Sequence, residues 1–340
     1  MRRAVGLAAP AAAAALLLAG CGTTTAAPAH GRSGSTAPAS TRPSSPGRPF
    51  RPTRARARAA GWRLAAPIAR EAVVPTGSAA GSVVLAGGMR PDDTSTAAVW
   101  RVGPATGRAT RMPSLAVPVH DAAGGLYHGH PAVFGGGNTS EQSLVQRLSG
   151  GRWHRVDAFP TTRSDLSAVT LPNAGVAGTV LLGGYDGSGT PRTIFRQRGR
   201  SSMRPVGRLA IGVRYAATAV VGGHIYVFGG EVAGHELSAV QRVDVRTGHT
   251  SVVAHLPRPV GHAMAAPFGD RILLMGGRID PDTQTDRMWW FDPATDSFSR
   301  AGRLPRPLSD AGVAVQNHTV VLLGGEDPDV TDRVVRVSVR

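Results

Sequence analysis

The chain contains no lysine, so all 38 of its basic residues are arginine, and its formal net charge is +16. Nine of these arginines lie in the first 60 positions, which hold no acidic residue, and 29 bases and 22 acids remain in the rest. Interleaved aromatic and basic residues are also missing, as is any helix–turn–helix pattern. The charge therefore does not indicate nucleic-acid binding. Together with the abundance of Ala, Gly and Pro, it suggests a GC-rich, actinobacterial type of genome.

The only cysteine, Cys21, closes an apolar run at residues 4–19 that follows a short basic start. This run is too short and too rich in alanine for a spanning helix and is typical of a signal peptide. Its end, Leu-Ala-Gly-Cys at residues 18–21, resembles the bacterial lipobox, in which cleavage precedes a cysteine that receives a diacylglycerol. We therefore predict that residues 1–21 are a lipoprotein signal peptide and that lipidated Cys21 holds the protein on the extracellular face of the cell membrane.

Residues 22–60 have the composition of a disordered tether. They are mostly Thr, Ala, Ser, Pro, Gly and Arg, and Phe50 is their only aromatic residue. Such a segment cannot bury enough apolar surface to order itself, and as a coil it would reach on the order of 35 Å. Its arginines at 51, 54, 56 and 58 are suited to anionic lipid headgroups or cell-wall polymers.

Six glycine pairs divide the remainder into near-equal blocks. Each pair closes a short apolar run, and the second glycines are 46 to 48 residues apart. The pairs are Gly87 and Gly88, Gly135 and Gly136, Gly183 and Gly184, Gly229 and Gly230, Gly276 and Gly277, and Gly324 and Gly325. A period in the forties with short strands is the signature of a β-propeller blade. Glycine fits because the chain leaves an inner strand through a conformation that a Cβ would obstruct.

These blocks resemble kelch repeats. That family's pattern is a glycine pair, a polar loop, an aromatic strand and a Trp before a Leu-Pro segment. The fifth block keeps it best, with Trp289, Trp290, Phe291 and Leu304 in place, whereas other blocks have lost aromatic positions. The resemblance covers residues 61–340, our predicted propeller domain. It implies an all-β fold, a six-bladed β-propeller of four-stranded antiparallel blades.

The two ends of the repeat array predict how the ring closes. After the last glycine pair there is room for one more strand, at residues 333–338. The segment at residues 61–67 matches residues 151–156, which lie at the fourth-strand position of another block. We therefore expect the N-terminal segment to complete the last blade and to satisfy an edge that would otherwise stay unpaired.

Equivalent positions at the start of each first strand predict a polar ring at the mouth of the central channel. We counted back from the second glycine of each pair and allowed insertions in blades one and three. The count gives six residues, four of them acidic, and Arg214 is adjacent to one of them. The predicted channel-mouth residues are Glu71, Asp121, Asp165, Arg214, Tyr215, His262 and Asp310. Loops after the glycine pairs add Asp92, Glu141, Asp186, Glu231, Asp280 and Asp327. Such a face suits a sugar, an amine or a hard cation, although polar residues there also commonly cap turns.

The candidate chemistries leave two functional hypotheses. The copper site of galactose oxidase, a kelch-type enzyme, needs a Tyr–Cys crosslink and is excluded because the only cysteine, Cys21, is assigned to the lipid anchor. The first hypothesis is a monomeric, surface-anchored module that binds a protein or carbohydrate ligand on the acid-rimmed face, without metal or cofactor. The alternative is an exported carbohydrate mutarotase or epimerase, with Glu71, Asp121, Arg214, His262 or Asp310 as acid–base groups.

Overall fold

A computed structural model describes residues 50–76, 81–171, 178–197 and 201–340. Cys21 and residues 22–49 of the predicted tether lie outside the described residues. Within the described part, no helix is long and apolar enough to cross a membrane. The described chain is all-β, and its first strand, β1 (Ala55–Arg63), belongs to the last blade.

Six four-stranded antiparallel sheets form the blades of a β-propeller, as the sequence predicted. Blade I contains β2 (Ala72–Pro75), β3 (Val83–Ala86), β4 (Val99–Val102) and β5 (Ala109–Met112). Blade II contains β6 (Ala123–Tyr127), β7 (His130–Phe134), β8 (Leu144–Ser149) and β9 (Arg152–Ala158). Blade III contains β10 (Ser164–Leu171), β11 (Gly178–Tyr185), β12 (Thr193–Arg196) and β13 (Arg204–Arg208).

Blades IV to VI each carry an additional two-stranded hairpin between their second and third strands. Blade IV contains β14 (Ala217–Val221), β15 (His224–Phe228), the hairpin β16 (Glu231–Val232) and β17 (His235–Glu236), β18 (Ala239–Asp244) and β19 (Thr250–His255). Blade V contains β20 (Met264–Phe268), β21 (Arg271–Met275), the hairpin β22 (Arg278–Asp280) and β23 (Thr283–Gln284), β24 (Arg287–Asp292) and β25 (Ser297–Arg303). Blade VI contains β26 (Gly312–Gln316), β27 (Thr319–Leu323), the hairpin β28 (Glu326–Asp327) and β29 (Asp329–Val330), and β30 (Arg333–Val339), which pairs with β1.

The core lies between neighbouring blades. The second strand of each blade is a continuous apolar run because both of its faces are covered, and β15, β21 and β27 are buried over their last four residues. Between blades IV and V, the rings of Phe228 and Phe291 meet edge to face with centroids 5.3 Å apart. The outermost strands are more polar and exposed, as in β5 and β19.

Strand β1 closes the ring, with Ala55 opposite Val339 and Arg63 opposite Arg333 in the antiparallel register. It begins at Ala55, six residues before the boundary expected at residue 61. The alanines at 55 and 57 pack into the core between blades V and VI. They alternate with arginines in a segment whose composition is that of a disordered tether. Antiparallel partners and a packed neighbour therefore order a segment whose own composition does not.

The glycine pairs join neighbouring blades. In each pair the second glycine donates its N–H to a carbonyl in the connection that enters the next blade, at 2.7 to 2.9 Å. In blade V, Gly277 donates to Leu308 at 2.8 Å. The preceding Gly276 has φ +57°, and a Cβ there would come well inside 3.0 Å of the same carbonyl oxygen. The repeat period is therefore set by a close backbone approach at each of the six interfaces between blades.

This close approach predicts the effect of an alanine at Gly276. Gly276→Ala should lower the free energy of unfolding by about 3 kcal/mol or more, because overpacking adds to the left-handed backbone conformation. Gly222→Ala is the matched control, since Gly222 has φ +60° but nothing lies within 4 Å of the added Cβ. It should cost only about 1 kcal/mol. Urea unfolding measures both values, and equal losses would contradict the proposed role of the pair.

Candidate functional site

A closed ring of backbone hydrogen bonds surrounds the mouth of the central channel. Six equivalent residues, one per blade, each donate an N–H to the carbonyl of the residue in the preceding blade, at 2.9 to 3.1 Å. All six have φ between 51° and 57°, which is uncommon for residues other than glycine. We call them the channel ring: Arg70, Asp121, Asp165, Tyr215, His262 and Asp310.

Five of the predicted channel-mouth residues occupy channel-ring positions, and blade I differs. Its ring position is Arg70, 18 residues before Gly88, because the β2–β3 hairpin is three residues longer than the β6–β7 hairpin and the count allowed an insertion of two. The predicted Glu71 comes next and is 8% exposed. Its Oε1 accepts an N–H from Gly312 at 3.1 Å, while Oε2 has no partner among the described residues. Burial raises the pKa of Glu71 to about 8, against the hydrogen bonds from backbone N–H groups.

Charged side chains of the channel ring pair with those of neighbouring elements. His262 contacts Asp310 through Nδ1 at 2.7 Å and Glu231 through Nε2 at 3.7 Å. Arg214 also contacts Glu231, through Nε at 3.0 Å, and lies 3.5 Å from Asp165. Four blades, III to VI, are thus connected by a chain of alternating charge.

The chain of ion pairs continues through blades V, VI and I. Arg278 lies 3.6 Å from Asp310 and also pairs with Glu326. Arg70 contacts Glu326 at 2.9 Å and Asp121 at 3.5 Å. Together with the pairs above, these contacts form an ion-pair belt around the channel. Its members, in order, are Asp165, Arg214, Glu231, His262, Asp310, Arg278, Glu326, Arg70 and Asp121.

The belt shifts the proton affinities of its members in opposite directions. Burial lowers the pKa of His262, but the charge of Asp310 and hydrogen bonds to Asp310 and Glu231 outweigh it and raise the pKa to about 9. The hydrogen bond from His262 is the main reason that the pKa of Glu231 falls to about 2. For Asp121, burial and the neighbouring Asp165 raise the pKa despite the attraction of Arg70. The pKa of Asp165, at the other end of the belt, is also raised, mainly by burial, so both acidic ends are less readily ionised than exposed aspartates.

Tyr215 covers the centre of the site with its aromatic ring. The ring stacks on His262 with centroids 3.8 Å apart, and the guanidinium of Arg214 lies 5.1 Å from its centroid. Burial, together with the negative charges of Asp121 and Asp165, raises the pKa of its hydroxyl, which therefore stays protonated.

The cavity enclosed by the channel ring is small. Its volume is about 150 Å³, and Arg70, Glu71 and the other channel-ring residues line it. Pockets for small molecules usually measure about 300–1,000 Å³. Among the described residues, no three His, Cys, Asp or Glu side chains are grouped so that they could hold a metal ion. The site therefore has the features of a stabilising network more than those of a substrate pocket.

Only one of the six predicted loop residues belongs to the belt. Glu231 is a member, whereas Asp92 and Asp186 accept hydrogen bonds within their own turns, at Thr94 and Ser188. Asp280 likewise accepts the N–H of the nearby residue 282. Asp327 pairs with Arg333 outside the belt. Among the described residues, the side chain of Glu141, in the loop of blade II, forms no hydrogen bond or ion pair.

Arg278 and Glu326 were not among the predicted site residues. Both directly follow a glycine pair, as does Glu231, and each pairs by a β-bridge with the residue before a channel-ring position. In blades IV to VI, the residue after the glycine pair is therefore the sequence signal for these additional belt members.

The loops between the second and third strands of the blades lie on the same face as the channel ring. We call these crown loops: residues 87–98, 135–143, 186–192, 229–238, 276–286 and 324–332. They contain 13 of the 22 acidic residues of the protein but only three of its 38 arginines. Asp93, Asp282 and Asp329 are exposed at their tips. Two of these acids, Glu231 and Glu326, are buried in the belt, and the other eleven give the crown loops an acidic surface on a basic protein.

The fold and the site define a class: a six-bladed propeller closed by its N-terminal strand, with a charged channel mouth and acidic loops. Two models of the Kelch motif match the chain, at residues 213–252 in blade IV and 259–305 in blade V. The protein is therefore a kelch-repeat propeller.

Curated relatives carry the same family name. Kelch-like protein 35 of Mus musculus is 29% identical over 148 residues, which are 43% of this chain and 25% of that one. Kelch-like protein terF of Aspergillus terreus is 31% identical over 120 residues, covering 32% of this chain and 26% of that one. Kelch-like protein 35 of Homo sapiens is 27% identical over 160 residues, covering 34% and 27%. The chain spans about a quarter of the length of these relatives.

The belt predicts a pH-dependent loss of stability when His262 is replaced. His262→Gln removes the nearest cation from the buried Asp310 and leaves it paired only with the more distant Arg278, so the free energy of unfolding at pH 6 should fall by about 3 kcal/mol. Because the folded-state pKa of His262 is raised to about 9, its contribution is complete below the unfolded value and disappears as pH rises through 9. The difference between wild type and variant should therefore shrink from pH 6 to pH 10 in urea unfolding. His255→Gln, which replaces an exposed histidine, is the control. A stability difference between wild type and His262→Gln that does not change with pH would contradict the assigned role of His262.

Proposed function

We propose that this protein is a non-catalytic interaction module that binds a basic segment of a partner protein on its crown loops. The carrying observation is the segregation of charge, with 13 acids and three arginines in six loops of a protein whose net charge is +16. Such a surface attracts cationic partners and speeds their association. An uncharged carbohydrate would gain nothing from it, so we favour a protein ligand.

The channel mouth supports binding over catalysis. Its cavity of about 150 Å³ leaves little room for a sugar ring. The charged groups there are engaged with one another in the ion-pair belt, as His262 is with Asp310 and Glu231. In the part of the chain that the structure describes, we find no observation that favours the mutarotase alternative. The belt instead gives the crown loops a rigid base.

The proposal includes attachment of the protein to the outer face of the membrane through lipidated Cys21. The chain enters the propeller on the face opposite the crown loops, where the ring of Phe50 contacts His318 at 4.1 Å. Arg51 lies beside Asp270 at 3.8 Å and pairs with Asp292 on the same face.

Neutralising the crown tips should weaken binding of basic ligands. Peptides selected from a displayed random library on the wild-type protein should carry net positive charge. A triple variant with Asp93→Asn, Asp282→Asn and Asp329→Asn should bind them about tenfold more weakly, since each exposed ionic contact contributes about 0.5 kcal/mol. Added salt should reduce the difference.

A charge-preserving variant is the control for this experiment. Asp93→Glu, Asp282→Glu and Asp329→Glu keep the charge of the crown and should retain wild-type affinity. Selection of neutral or acidic peptides, or equal binding by all three proteins in titration calorimetry, would refute the crown as a site for basic partners.

Lipid attachment predicts a clear fractionation result for Cys21→Ser. Wild-type protein should resist a high-salt wash of the membranes and leave them only with detergent, because two or three acyl chains hold firmly. The variant lacks the acceptor sulfur and should be shed into the medium, removed by salt or retained as an uncleaved precursor. Thr25→Ser keeps the sulfur and is the control. A Cys21→Ser protein of mature size that needs detergent for release would disprove the lipoprotein assignment.

A further inference from the structure

We infer that four arginines at the outer edge of blade VI form a binding site for the phosphate groups of an anionic membrane surface. They surround a cleft of about 410 Å³ that Ala57 and Ser338 also line. We call it the basic cleft; its arginines are Arg54, Arg56, Arg58 and Arg340. All four are exposed.

The strand geometry places these arginines together. Side chains alternate along a strand, and the alanines at 55 and 57 are directed toward the core shared with blade V. Arg56 and Arg58 therefore share the opposite face of β1. Backbone hydrogen bonds join the other two arginines, since Arg54 donates to Arg340 at 3.2 Å and accepts its N–H at 3.0 Å.

The basic cleft has no anionic partner of its own. Within the described residues, none of its four arginines has a carboxylate within 4.0 Å, whereas Arg63 at the other end of β1 pairs with Asp332 at 2.6 Å. The antiparallel register also sets Arg58 directly opposite Arg336. Like charges at opposed positions destabilise a strand pair. An external anion would remove this repulsion.

Guanidinium groups are well matched to phosphate oxygens, which they bind through paired N–H donors. The membrane is the source we favour because the chain enters the propeller at this same edge, immediately before Arg54. This location rests on the proposed lipid attachment at Cys21, which would keep the cleft near phospholipid headgroups. Arginines near an anionic surface add to its attraction for the protein.

The test uses the unlipidated full chain with Cys21→Ser, so that it does not depend on the lipid anchor. This protein should sediment with vesicles of phosphatidylcholine and phosphatidylglycerol but not with phosphatidylcholine alone, and added salt should release it. Arg54→Gln, Arg56→Gln and Arg58→Gln together should weaken binding about 100-fold, since each arginine near the surface is worth about fivefold.

Two further variants separate the cleft from net charge and from misfolding. The first variant combines Arg152→Gln, Arg155→Gln and Arg204→Gln. It removes the same charge from exposed positions on blades II and III and should change binding by less than about threefold. An equal loss in this control would overturn the proposal. Arg340→Gln lies outside every strand, so it leaves the fold intact, and it should weaken binding about fivefold. Unchanged binding by both cleft variants would also overturn the proposal.

Competition identifies the source of the phosphate. Inorganic phosphate or a single-stranded oligonucleotide should displace the protein from phosphatidylglycerol vesicles only at phosphate concentrations far above that of the lipid. Displacement at an equal phosphate concentration would refute a membrane-specific site. If the protein does not bind the vesicles but Cys21 is lipidated normally, the basic-cleft proposal is wrong and the lipid-anchor proposal stands.

Discussion

The structure depends on one close approach of backbone to backbone, repeated at six interfaces. The second glycine of each pair donates to a carbonyl of the next blade, as Gly277 does to Leu308, and the first glycine leaves no space for a Cβ. Two residues further on, a channel-ring N–H binds the carbonyl of the preceding blade. Because these bonds join main-chain groups, aromatic positions elsewhere in the repeat can be lost while the glycine pairs remain.

This constraint also determines the chemistry of the channel mouth. The six channel-ring residues share one backbone conformation, so their side chains converge around a cavity of about 150 Å³. Buried charges that converge must neutralise one another, since an isolated buried charge is costly. The belt from Asp165 to Asp121 meets this requirement and shifts the pKa of His262 up and that of Glu231 down. Perturbed pKa values here follow from structural ion pairs and do not require catalysis.

Charge is divided between two parts of the propeller. Acidic residues concentrate in the crown loops, and four exposed arginines line one cleft at the edge of blade VI where the chain enters. A single surface of mixed charge would attract basic and acidic partners alike. The proposed binding of a cationic ligand and the proposed contact with an anionic surface both require such a separation. The high net charge of the protein is therefore less informative than its distribution.

The sequence by itself determined the number of blades, their four-stranded form and the closing role of the N-terminal strand, because these follow from the glycine period and the unmatched ends. It also located Asp121, Tyr215, His262 and Asp310, which lie 15 residues before the second glycine of each pair, and Asp165 once an insertion in blade III was allowed. Only the tertiary structure identified Arg70, since the length of a connecting segment cannot be counted from the repeat. The pairing of Arg70 with Glu326 joins residues 256 positions apart. Likewise, β1 begins at Ala55 only because β30 and blade V supply the hydrogen bonds and apolar contacts that this arginine- and alanine-rich segment lacks alone.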